Sequence, residues 1–87
     1  MNAPFPATTI ALDRLPLGTR ALVTGIDWES LEDGEACRLR HFGFDPGVAV
    51  EPLHRGPIGQ DPIAIRVGRM TVAIRRKHAG AVRVVPV

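Results

Sequence analysis

The run Ala36 to Pro52, ACRLRHFGFDPGVAVEP, constrains this chain more than any other, because it reads as a short helix, a tight corner and a strand with no slack between them. At about 100° per residue, Ala36, Leu39, Phe42 and Gly43 fall on one apolar or small face, while Arg38, Arg40 and His41 fall elsewhere. Gly43 stands where a left-handed residue ends a helix. Asp45-Pro46-Gly47 then supplies a turn in which proline fixes φ and glycine accepts a positive one. Val48-Ala49-Val50 leaves the corner as a strand. Gly43, Pro46 and Gly47 are therefore expected to shape the fold rather than do chemistry.

The rest of the chain is arranged around this unit. Residues 1–10, with two prolines and no hydrophobic period, read as a flexible tail, and 11–87 as the folded domain. Leu22, Val23 and Ile26 make a first strand, followed by an acidic loop from Asp27 to Gly34 in which Asp33 is placed to cap the helix. Val48 to Leu53 is a strand that Pro52 bends or puts on an edge, and Arg55 to Pro62 is a long turn. Ile63, Ile65 and Val67 alternate with polar or small residues, and Gly68-Arg69 turns them into Met70, Val72 and Ile74 as a Gly-X hairpin. Arg76 to Gly80 allows one helical turn, and Val82 and Val84 alternate in a last strand. The expected fold is mainly β, a small barrel of about five antiparallel strands with a short α-helix after the first and a helical turn before the last. Closure is expected because short strands otherwise leave exposed edges. The expected core is Leu22, Ile26, Leu39, Phe42, Val48, Val50, Ile63, Ile65, Val72, Ile74, Val82 and Val84.

A chain of 87 residues has room for one core. The lone Cys37 excludes an internal disulfide, and the start of the chain lacks the basic and apolar regions of a secretory signal, so a reducing, cytoplasmic setting is expected. No window approaches the roughly 18 apolar residues of a membrane span. Charge is uneven: residues 1–51 carry four basic and eight acidic groups, and 52–87 carry seven and one, or −4 against +6. A dipolar surface follows only if the fold keeps those halves apart.

Catalytic patterns are missing: there is no phosphate-binding loop, nucleophile elbow or zincin helix. Cys37 and His41 are one helical turn apart and could chelate a metal, with zinc or another borderline ion suited to the donors and with His54, His78, Asp45 or a carboxylate between Asp27 and Glu35 completing the set, between chains if not within one. A metal-bridged homodimer is one arrangement of that kind, and an adventitious ion another. Outward arginines at 66, 69, 75, 76 and 83 suggest a basic face, but three Phe, one Trp and no Tyr leave little for bases to stack on, which disfavours nucleic acid. An adaptor must work through exposed groups, and the candidates are Arg38, Arg55, Pro57, Asp61, Arg75 and Arg76.

Taken in order, Leu15-x-x-Gly18, Arg38-Leu39-x-x-Phe42-Gly43-Phe44-x-Pro46-Gly47, Pro57-x-Gly59 with Asp61-Pro62, Gly68, Ile74-Arg75-Arg76 with Ala79, and Val82-x-Val84 resemble the FeoA family of ferrous iron transport proteins. The chain departs from that pattern at Gln60, which separates Gly59 from Asp61, and at Phe44, where Leu or Met is commoner. The resemblance implies an SH3-like barrel needing no cofactor, and a non-catalytic, accessory role in the cytoplasm. Its implied partner is FeoB, the permease with a G-protein domain, which would recruit it to the inner face of the membrane. The readings left beside it are a zinc- or iron-binding module and a small basic nucleic-acid-binding barrel. A similar barrel forms the C-terminal domain of iron-dependent repressors, but their helix-turn-helix has no counterpart here.

Overall fold

Alternating apolar residues do form strands here, and Gly-containing corners join them. The computed structural model describes residues 9–87, in the order β1 (Ile10–Ala11), a 3-10 turn at Leu12–Arg14, β2 (Ala21–Ile26), a 3-10 turn at Trp28–Ser30, α1 (Asp33–His41), β3 (Ala49–Ile58), β4 (Asp61–Val67), β5 (Met70–Ile74), α2 (Arg76–Ala79) and β6 (Val82–Pro86). The strands form one antiparallel sheet in the order β1-β6-β2-β3-β4-β5. That is six strands rather than about five, and the sheet is not closed. Ile10 and Ala11 pair with Val84 and Arg83 of β6, but no ladder joins this short strand to β5. Of the stretch expected to be a tail, Ile10 is in β1 and the first eight positions lie outside the described residues.

The helix starts earlier than the sequence suggests. Glu32, not Asp33, is the N-cap, and its carboxylate and that of Glu35 accept each other's backbone N–H in a reciprocal capping box. At the other end Gly43 has φ +84, its N–H bonds to the Arg40 carbonyl, and the Phe44 N–H bonds to that of Leu39. These two bonds define a Schellman motif, whose usual apolar contact joins the residue after the glycine to the last turn of the helix. Phe44 and Leu39 are both fully buried. Phe42, expected in the core, sits at its margin because Phe44 takes the central position. Asp45 to Val48 closes the next turn, and the Gly47 N–H and Val48 carbonyl bond back to Val23, fastening the corner to β2.

Two further corrections come from strand irregularities. A register shift between Val23 and Gly25 lets Ala21, Val23 and Ile26 all face inward, which leaves Leu22 only half-buried. Val48 and Val72 are likewise partly buried against the core. The segment read as a long turn after Arg55 is instead the continuation of β3, which bends at shifts near Pro52 and between Arg55 and Ile58 and turns tightly at Gly59-Gln60. Both turn residues have positive φ, +64 and +61, as a two-residue type I′ hairpin requires. Gln60 therefore makes that turn. Pro52 lies in an interior strand, past the Ala21 to Leu22 ladder with β2, and its carbonyl accepts the Gly18 N–H. At the next hairpin Gly68 alone has positive φ, which fits the Gly-X turn read from the sequence.

Candidate functional site

The tip of the β3–β4 hairpin and the start of α2 are held together by one carboxylate. Asp61 accepts the Arg76 N–H at 2.9 Å and pairs with the Arg75 guanidinium at 3.7 Å, while the Arg76 guanidinium donates to the Gly59 carbonyl at 2.9 Å. Next to it, Glu35 of α1 receives His78 Nε2 at 2.6 Å and faces Lys77 Nζ at 3.5 Å. The Glu32 amide, then the His78 ring and the Lys77 charge, hold the Glu35 carboxyl below the usual carboxylate range despite its partial burial. The two helices thus meet at a charged seam.

Beside that seam runs an open groove of about 270 Å³ between α1 and the end of β5, lined by Arg38, Phe42, Pro62, Ala73, Arg75 and His78 among others. The Arg38 guanidinium lies 5.9 Å from the centre of the Phe42 ring. The groove passes into a shallow apolar recess on the outer face of α1 made by Gly34, Cys37, Arg38, His41 and Phe42. Such a surface combines the Arg38 and Arg75 cations of the groove with the mainly apolar recess beside it. It suits contact with a macromolecule rather than enclosure of a small substrate.

Of the residues expected to meet a partner, Arg38 and Arg75 line this groove, and Asp61 and Arg76 brace the wall beside it. Pro57 is exposed on β3. Arg55 is occupied internally, its guanidinium donating to the carbonyls of Asp13 at 2.9 Å and Leu15 at 3.2 Å, which pins the first 3-10 turn to β3. Of the expected metal donors, Cys37 and His41 share the α1 recess, His78 is engaged by Glu35, and His54 is exposed on β3. Among the described residues, no three His, Cys, Asp or Glu side chains converge as a metal site. Sequence reasoning missed Glu35. Its spacing from Glu32 was a capping signal, but nothing local announces His78, 43 residues away.

Among the described residues, no helix is long and apolar enough to cross a membrane. A search of curated proteins finds no significant match. Solved structures are more informative. The FeoA of Stenotrophomonas maltophilia, solved in complex with zinc and described as a procaryotic SH3 domain protein, shares 37% identity over 84% of this chain and 86% of that one, with a TM-score of 0.72. The FeoA protein of Chlorobium tepidum is 29% identical over 90% of this chain and 70% of that one, with a TM-score of 0.78. IdeR of T. acidophilum matches 98% of this chain but 37% of its own length at 19% identity and a TM-score of 0.78, a likeness of fold alone. The six-stranded open sheet is thus of the SH3-like type, and the family model of the FeoA domain matches residues 10–86. With nearly the whole folded region inside that match, the chain belongs to the FeoA family.

Proposed function

We propose that this protein is a non-catalytic accessory factor of ferrous iron uptake that acts in the cytoplasm by docking on a FeoB-like permease and its G-protein domain. Family membership supports the iron-uptake setting. The observation that carries the docking role is the convergence of Arg38 from α1 and Arg75 from the β5–α2 junction on one open groove that Phe42 also lines. Arginine at the edge of an apolar patch is a common anchor, because the guanidinium pairs with carboxylates while its stem covers apolar surface.

On this reading docking needs no metal or other cofactor. The test is a pull-down of the purified cytoplasmic region of the permease by this chain, with and without a chelator and with RNA as competitor. Capture that survives both is expected. Failure of the wild-type chain to retain the permease region, or its displacement by RNA, would end this reading.

A further inference from the structure

Strand β5 reads Met-Thr-Val-Ala-Ile, with neither a charge nor a proline, and it lies at one end of the sheet. Natural edge strands are usually guarded by charge, proline, a bulge or extreme shortness. The opposite edge, β1, has the last of these at two residues, and β5 has none over five.

Its register shows which groups are free. Across the two-residue turn, Val67 pairs with Met70, Ile65 with Val72 and Ile63 with Ile74, and in such a hairpin these pairs exchange both main-chain hydrogen bonds. Thr71 and Ala73 occupy the alternate positions, so their N–H and C=O groups point away from β4, toward an edge where, among the described residues, no other strand pairs. Ala73 also lines the groove that holds Arg38, Phe42 and Arg75.

The charge left unengaged around this edge is cationic, since the acids beside Arg75 are Asp61 and Glu35, and Glu35 is already taken up by His78 and Lys77. Arg69 precedes β5, Arg75 follows it, Arg66 lies opposite Thr71, and the chain has no Asp or Glu after Asp61, which is already engaged by Arg75 and Arg76. A second copy is a poor occupant. Antiparallel pairing of two β5 edges about Val72 would set Thr71 of each opposite Ala73 of the other, and Arg69 of each opposite Arg75 of the other. Like charges directly opposed oppose the pairing.

We infer that β5 is a strand-addition site, at which an extended acidic segment of the protein partner pairs with the Thr71 and Ala73 main chain and sets its carboxylates against Arg38 and Arg75. This rests on the docking role proposed above and names its chemistry. Main-chain pairing supplies affinity in such complexes, and flanking side chains supply selectivity.

The experiment measures backbone amide exchange of this chain alone and with the permease's cytoplasmic region, and compares the affinities of wild type and Ala73→Pro. Slower exchange at Thr71 and Ala73 in the complex is expected. Ala73→Pro, which deletes an outward N–H that the β4 ladder does not use, is expected to weaken binding roughly tenfold relative to wild type. A complex that forms with both amides unprotected overturns the strand-addition site and leaves the docking role standing, even if Ala73→Pro fails to fold. Absence of any complex overturns both. Protection of the same amides in a dimer of this chain, without the permease, overturns the choice of occupant.

Discussion

His78 Nε2 lies 2.6 Å from the Glu35 carboxylate, so the short helix before the last strand is tied to the first turn of α1 across 43 residues of sequence. Glu35 also completes the capping box with Glu32, so one side chain serves both the helix start and the contact between helices. His78, which it holds, lines the proposed docking groove.

That arrangement has a pH signature. The folded-state pKa of Glu35 is depressed, chiefly by the Glu32 amide and then by His78, so its contribution to stability is present above the ordinary carboxylate pKa and is lost as pH falls through the folded value. Thermal melts of wild type and Glu35→Gln are expected to differ above the ordinary carboxylate range and to converge as pH falls below it. A gap of equal size at both ends would show that the carboxylate's charge is not what matters.

Gly43 closes α1 at φ +84, with open space where a side chain would go, so any penalty for replacing it is conformational. Gly43→Val is expected to cost roughly 1–3 kcal/mol, since a β-branched residue tolerates this region poorly. Unchanged stability on urea denaturation would mean that the corner can be built another way.

Gln60 is the only described residue other than glycine with a positive φ. Gln60→Gly is expected to stabilise the domain by roughly 0.5–1 kcal/mol, because glycine suits the second position of a type I′ turn and relieves the strain. A lower Tm would contradict the assignment of the turn.

Inside the sheet, Ile65 and Ile74 are 0% and 5% exposed, and Phe44 is fully buried. Ile65→Ala and Ile74→Ala are each expected to lose roughly 2–5 kcal/mol and Phe44→Ala roughly 3–5 kcal/mol, a large share of the stability of so small a domain. Losses below about 1 kcal/mol in denaturant melts would show that these positions carry little of the core.

The strands that alternate without interruption were legible in the sequence: β4, β5 and β6 need only a two-residue period and a glycine turn to be recognised. Leu22 and Phe42 were not, for separate reasons. The irregularity between Val23 and Gly25 changes which β2 residues face inward, and the Schellman contact favours Phe44 over Phe42, and neither effect shows in local hydrophobic spacing. The groove was half legible. Arg38 and Arg75 stood out as exposed cations, but Arg55 reads the same way in sequence, and only the approach of the Asp13 and Leu15 carbonyls reveals its internal use.

The most direct measurement of the docking role is the affinity of this chain for the cytoplasmic region of a FeoB-like permease, for wild type and for Arg38→Ala with Arg75→Ala, at low and high salt. The double variant is expected to melt as wild type does, to bind more weakly by on the order of 1–3 kcal/mol, and to show a smaller dependence on salt. Wild-type affinity and salt dependence in the double variant would contradict the account.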